Sequence, residues 1–364
     1  MNFRSDNTAG ASEKVLAALI AANGGVKAAY GTDDMTSRVV TALGEVFERD
    51  VAAFLVATGT AANSLALSCV TPPWGAVLCH AESHIAVDEC GAPEFFSAGA
   101  KIIGLPGIGC KLAPATVASQ LARMPAAAGH SSQPAALSIS QANEAGMVYT
   151  PAEIAALSEV ARSRRLAMHM DGARFANALV ALGCTPAEMT WKSGVDILSF
   201  GATKNGCFAA EAVIFFDKGR AAEMGFRRKR AGHTLSKGRL LAAQMEAYLH
   251  EGHWLDLARH ANRAAEQLER ALSSLPGVRI GWPRQANEVF PIIPQTVDER
   301  LRAANAAYHP WSPSFLPPKS RPRAGEALYR FVTSFRTGAS EIEALRAAGQ
   351  PERAAPRRIK VRKG

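Results

Sequence analysis

The chain has 364 residues, is 48% hydrophobic and 20% charged, and carries a formal net charge of +9. That is enough apolar material to bury a sizeable core, and the length favours a large domain joined to a smaller one. No apolar run approaches the ~20 residues of a membrane span and residues 1–6 lack the apolar stretch of a signal peptide, so a soluble, cytoplasmic protein with no membrane partner is expected.

From about residue 35 to 250, helix-like Ala/Leu/Val segments alternate with short β-rich runs at 53–56, 76–79, 136–139, 165–170, 195–200 and 212–216. Such alternation predicts a mainly parallel sheet covered by helices. Directly after the first run, Ala57-Thr58-Gly59-Thr60-Ala61-Ala62-Asn63 reads as a strand-to-helix turn. Gly59 permits close backbone approach and Thr60 can cap a helix whose free N–H groups face an anion. It is not a P-loop, because no Gly-Lys-Ser/Thr follows.

A long Ala/Leu/Glu/Arg helix is expected near 240–275, ending at Pro276-Gly277. Strand-like runs at 278–280, 288–293 and 328–333 and a helix near 297–307 then make a compact α+β C-terminal domain, completed by the N-terminal segment. The expected division is a large domain over 13–250, a small one from 1–12 and 251–345, and a basic tail over 346–364. Over 351–364, Arg353, Arg357, Arg358, Lys360, Arg362 and Lys363 oppose only Glu352, with two prolines and few apolar residues. A solvated, disordered end is preferred over a nucleic-acid-binding one. The six cysteines show no CxxC or Cys/His clustering, which argues against a zinc site or a disulfide framework.

Two segments stand out: His169-Met170-Asp171-Gly172-Ala173-Arg174 and Ser199-Phe200-Gly201-Ala202-Thr203-Lys204-Asn205-Gly206. Each follows or ends a buried apolar strand and delivers one charged group at a strand end, the first stopping at Asp171 and the second just before Lys204. Ligands of open α/β sheets bind along that edge. Alone, an Asp-Gly pair is a turn and a lysine in a Gly-rich loop is solvated. Together, one βαβ unit apart, they supply what pyridoxal 5'-phosphate (PLP) needs, an acid beside its pyridine nitrogen and a lysine to carry it.

Over residues 2–345 the chain resembles the threonine aldolase group of the β-eliminating lyase family. The resemblance rests on Asn2-Phe3-Arg4-Ser5-Asp6-Asn7-Thr8, Tyr30-Gly31, the 58–63 turn, His84, the 169–174 segment, Lys204 and Arg330-Phe331-Val332-Thr333. It implies an α/β fold of type I, the aspartate aminotransferase-like architecture, with a mainly parallel sheet in the large domain and a small α+β C-terminal domain. It further implies PLP as cofactor and cleavage of L-threonine, L-allo-threonine or related β-hydroxy-α-amino acids such as phenylserine to glycine and an aldehyde. Lys204 is then the cofactor lysine, Asp171 the partner of the ring nitrogen, and Thr58, Gly59 and Thr60 the phosphate contacts. His84 corresponds to a ring-stacking histidine, against the alternative of an ordinary packed one. Ser5, Arg174 and Arg330 match positions that hold the substrate carboxylate, a task suited to a guanidinium fork. Lys229, in Arg227-Arg228-Lys229-Arg230, and Lys237 are candidates for the cofactor phosphate of a neighbouring subunit, against solvated surface charge. A homotetramer built from dimers is implied as well.

Two positions stay open. His169 shares a strand face with Asp171 and either orients it or is a buried histidine with a backbone partner. Many relatives carry a histidine in the loop where this chain has Ser140-Gln141-Ala142-Asn143-Glu144-Ala145-Gly146. Its absence leaves His84, Glu144 or a bound water as the base for the β-hydroxyl, with His84 preferred. The alternatives in function are β-elimination, hydroxymethyl transfer and, more remotely, a basic RNA-binding protein on an inactive scaffold.

Overall fold

A computed structural model of the chain describes residues 1–125, 129–316 and 318–351. The larger sheet contains β1 (Ala52–Val56), β2 (Gly75–His80), β3 (Lys101–Leu105), β4 (Gln133–Ser140), β5 (Ala167–Gly172), β6 (Ile197–Gly201) and β7 (Glu211–Phe215), in the order β1-β7-β6-β5-β4-β2-β3. The expected mainly parallel sheet is present, with β7 antiparallel to both β1 and β6. Because β7 runs backwards between them, β1 and β6 point the same way. The carboxyl ends of β1, β4, β5 and β6 therefore share one edge.

Strands β2, β5, β6 and β7 are buried along their whole length, which is why they read as continuous runs rather than as alternating ones. His169 inside β5 is fully buried, with Nδ1 2.8 Å from Ser138 Oγ on β4 and Nε2 3.0 Å from Ser199 Oγ on β6. Two serines, neither Asp171 nor a backbone group, satisfy the ring. Burial pushes its pKa down to about 4, so the ring is neutral and ties three strands together. Behind β6, Phe200 packs against Phe47, Phe175 and Trp254 with ring centroids 5.9, 5.6 and 5.6 Å away. Truncating such a side chain costs roughly 3–5 kcal/mol, so the strand leading to Lys204 has a stiff backing.

The smaller sheet comprises β8 (Arg279–Ile280), β9 (Glu288–Val289), β10 (Pro291–Pro294), β11 (His309–Pro310) and β12 (Glu326–Val332). Phe3 donates its N–H to Ala307 O (2.8 Å) and accepts at its carbonyl from Val332 N (2.9 Å). Its ring is buried among Leu268, Leu272, Ile293 and Phe331.

Some expected boundaries move. The single helix expected over 240–275 is two, Arg239–Leu249 and His253–Ser273, broken where Glu251 and Gly252 take φ of 50° and 71°. The break falls at His250-Glu251-Gly252-His253, four residues without an apolar side chain, where the buried positions step from Leu249 to Trp254. The helix expected near 297–307 is Gln295–Ala303. β5 passes the expected stop at Asp171 by one residue, ending at Gly172. The helix Ala339–Gly349 runs beyond residue 345, into the range expected as tail, and residues 352–364 lie outside the described residues. No described helix is long and apolar enough to cross a membrane, and the six cysteines are free.

Candidate active site

A two-lobed cleft opens at the carboxyl edge of β1, β4, β5 and β6. One lobe, of about 230 Å3, is lined by Thr58, Gly59, Thr60, Asn63, Asp171, Lys204 and Glu211, among others. The other, of about 390 Å3, is lined by Ser5, Glu144, Arg174, Trp311 and Arg330, among others. Asn7, His84, Asp171, Ala173 and Lys204 border both, which makes the lobes one cleft. Two further recesses, one beside Trp191 and Arg220 and one beside Arg259 and Arg284, lie away from these residues.

Asp171, the penultimate residue of β5, is almost fully buried. Its Oδ1 accepts from Ala173 N (3.0 Å) and its Oδ2 from Asn63 Nδ2 (2.8 Å), both neutral donors. Among the described residues, Lys204 Nζ makes no hydrogen bond or ion pair. It sits in a short turn directly beyond β6. Where β5 and β6 finish, the backbones nearly touch: a Cβ on Gly201 would lie 2.7 Å from Ala173 Cα. That close approach brings the acid and the lysine to one opening.

The anion cradle forms at the helix Gly59–Ser68, but its cap differs from the expectation. Thr58, not Thr60, is the N-cap, its Oγ1 accepting from Ala61 N at 3.2 Å. Thr60 lies in the first turn, where backbone N–H groups have no intrahelical acceptor. A Cβ built on Gly59 would meet nothing within 4 Å, so this helix end faces open space. Glu211 closes the floor, accepting from Ala202 N (2.9 Å), with its pKa pushed up to about 7 by burial.

His84 begins a short helix, and its Nδ1 lies 2.9 Å from Oε1 of the buried Glu89. Asn63 Nδ2 donates to the same oxygen at 2.8 Å, which completes the chain His84, Glu89, Asn63, Asp171. The bond to Glu89 raises the His84 pKa against the burial that would lower it. Burial raises Glu89 in turn. Two donors converge on Glu89 Oε1, which favours its carboxylate form and keeps the proton on the ring.

In the second lobe, Arg174 gives its Nε and Nη2 to Asp6 at 2.8 and 3.1 Å, and Nη2 lies 3.6 Å from Glu288 Oε1. One edge of that guanidinium is thus already engaged. Arg330 is freer, with Nη1 3.9 Å from Glu288 Oε1, its Cζ 4.5 Å from the Trp311 ring centroid, and its buried Nε without a partner. Ser5 lines this lobe and caps the turn Asp6–Thr8. Lys229 stands outside the cleft, exposed, 5.0 Å from the Tyr30 ring centroid, and Lys237 is exposed too.

The structure thus gathers Ser5, Thr58, Gly59, Thr60, His84, Asp171, Arg174, Lys204 and Arg330 around one cleft and leaves Lys229 outside it. Sequence reasoning missed the supporting acids Asp6, Glu89, Glu211 and Glu288. Their only signal is burial, which a single sequence does not display for a carboxylate.

An open helix N-terminus, an acid and an unpaired lysine around one lobe of an α/β sheet edge define a site fitted to a phosphorylated pyridine aldehyde. The chain belongs to the β-eliminating lyase family, whose model matches residues 2–294. It is similar to a low specificity L-threonine aldolase of Pseudomonas sp. (strain NCIMB 10558), at 42% identity over 82% of this chain and 86% of that protein. It is also similar to the low specificity L-threonine aldolase of Pseudomonas aeruginosa, at 39% identity over 94% and 95% of the two chains. Among solved structures, Leishmania major threonine aldolase superposes with a TM-score of 0.87 at 28% identity, over 96% of this chain and 98% of that one.

Proposed function

We propose that this protein is a PLP-dependent aldehyde-lyase that cleaves L-threonine, L-allo-threonine and related β-hydroxy-α-amino acids, phenylserine included, between Cα and Cβ, giving glycine and an aldehyde. The observation that carries the reading is the meeting of Lys204, Asp171 and the Thr58–Gly59–Thr60 helix end in one lobe, with Arg330 in the adjoining one.

Lys204 would hold the cofactor covalently and Asp171 would partner its ring nitrogen, keeping a proton there. The Asn63 amide fixes the Asp171 carboxylate. Thr58, Gly59 and Thr60 would receive the phosphate, and His84, steadied by Glu89, would cover the ring. When bound, PLP supplies an electron-withdrawing ring that accommodates the electron pair left at Cα. Arg330 binds the substrate carboxylate with the donors it has to spare. Ser5 adds a hydroxyl, and Arg174, braced on Asp6, supplies positive charge beside it. Holding the carboxylate would fix the orientation of the substrate, so the clamp would favour Cα–Cβ cleavage over decarboxylation.

The assembly proposed is a homotetramer in which Lys229, outside the cleft of its own chain, reaches the phosphate of a neighbouring subunit. Sedimentation velocity of the holoprotein tests it, and a monodisperse monomer with full activity would refute it. For the reaction, products are identified after incubating the holoprotein with L-threonine and with L-phenylserine. Glycine and the matching aldehyde are expected. Pyruvate or another keto acid with ammonia would mark β-elimination, and a folate requirement would mark hydroxymethyl transfer.

A further inference from the structure

Most carboxylates around the cleft are committed. Asp171 and Glu89 share Asn63, and Glu89 also engages His84. Asp6 is tied to Arg174, and Glu288 lies between Arg174 and Arg330. Glu144 differs. Its Oε1 accepts from Ser140 Oγ (2.7 Å) and from His84 N (2.9 Å), while its Oε2 is buried with no partner. The side chain lines the lobe that contains Ser5, Arg330 and Lys204. A buried acceptor without a donor is uncommon and calls for one to arrive.

The segment that carries Glu144 is held firmly. Gln141 bonds both the N–H and the carbonyl of Tyr149 (2.9 and 2.8 Å). Asn143 Oδ1 accepts from Ala145 N and Met147 N, both at 3.0 Å, and its Nδ2 donates to Gly109 O at 2.9 Å. Trp282 Nε1 donates to Ala145 O at 2.8 Å. These bonds point Asn143 inward and leave Glu144 as the side chain of this loop with an unused acceptor in the cleft.

We propose that Glu144, through its free Oε2, is the catalytic base that takes the proton from the substrate β-hydroxyl as the aldehyde forms. The inference rests on the retro-aldol reading above. The O–H bond breaks toward Glu144, the oxygen's electron pair forms the aldehyde C=O as Cα–Cβ breaks, and the released pair stays on the Cα side. A proton takes the place of Cβ there and gives glycine, so no oxidant or reductant is consumed.

His84, preferred on sequence grounds, has its Nδ1 engaged by Glu89 and its ring assigned to cover the cofactor, whereas Glu144 Oε2 is uncommitted. Burial pushes Glu144 up to about 6, against the hydrogen bonds from Ser140 and His84 N and together with the charge of Asp171. Arg174, Tyr149 and Cys110 also lie within its electrostatic reach. The group is therefore a carboxylate at neutral pH with a raised proton affinity, as an effective base requires.

The test uses the PLP-loaded protein and Glu144→Gln, which keeps the shape and the Oε1 acceptor. Aldehyde release from L-threonine should fall roughly 100- to 1,000-fold, within the range seen for general bases. Glycine binding, read from cofactor absorbance, and exchange of the glycine Cα proton in deuterated water should be unchanged, since neither needs a β-hydroxyl base. The acid limb of kcat/KM near pH 6 should vanish. In Glu144→Ala, added formate should restore part of the aldehyde release. Wild-type cleavage by Glu144→Gln would overturn the assignment, as would parallel loss of cleavage and glycine exchange, which would mean the residue only shapes the loop. If the wild-type protein exchanges glycine protons yet releases no aldehyde from any β-hydroxy amino acid, the retro-aldol reading itself has failed.

Discussion

Replacing Glu89 by Gln isolates one charge in the chain that runs from His84 to Asp171. The Glu89 side chain is fully buried and that of His84 is 39% exposed, with 2.9 Å between Oε1 and Nδ1. A hydrogen bond to a charged group contributes about 1.5–3 kcal/mol, and exposure of the ring screens part of this, so the carboxylate holds the His84 pKa up by a contribution at the lower end of that range. The amide oxygen of Gln still accepts from the ring but carries no charge. In Glu89→Gln the His84 titration, followed by NMR of labelled histidine, should therefore move to lower pH. The sign extends to stability. A raised histidine stabilises the fold fully below its unfolded pKa of about 6.5, and the contribution is lost as pH rises through the folded value. Glu89→Gln should flatten that part of the stability curve. If His84 titrates alike in both proteins, Glu89 is not what raises it, and the proton arrangement along the chain to Asp171 must be redrawn.

Lys204→Ala should lose covalently held cofactor, shown by the absence of a borohydride-fixed PLP adduct in the intact mass, together with nearly all turnover. An adduct elsewhere with full activity would remove Lys204 from its role. Arg330→Ala should raise KM for L-threonine while leaving PLP affinity unchanged, because its free donors face the substrate lobe; steady-state kinetics and cofactor titration read the two separately. Asp6→Asn leaves Arg174 short of its bidentate partner, and breaking a buried pair of this kind costs roughly 3–5 kcal/mol, measurable by urea denaturation. Burial alone would raise the Asp6 pKa, but Arg174 holds it below the usual carboxylate range. Its stabilisation is present above the unfolded value of about 3.9 and is lost as pH falls through the folded one, so Asp6→Asn should be less sensitive to acid across that window.

The pairing of Asp171 with Lys204 was legible because each ends a short buried run and because parallel neighbours bring their carboxyl ends together. The Thr58–Asn63 turn was legible for the same reason, although which threonine caps the helix depends on a backbone angle. What could not be read is the support. Asp6 meets Arg174 across 168 residues and Asn287 across 281. Glu89 becomes a partner of His84 only because a short helix turns it inward, and no hydrophobic period records that. The break at Glu251 is set by two left-handed residues, Glu251 and Gly252, within a stretch otherwise rich in helix formers.

The segment around Phe3 places Ser5 and Asn7 in the cleft wall while its own ring fills the small core. Its backbone partners, Ala307 and Val332, lie about 300 residues downstream. At synthesis rates of roughly 5–20 residues per second, the interval before those partners emerge is on the order of tens of seconds. For that time Phe3 has no native place to go, while the strands of the large sheet can already pair. Substrate contacts near the start of the chain are thus among the last to be set during biogenesis. A nascent chain stalled before Val332 could hold much of the cofactor lobe and still lack the substrate lobe.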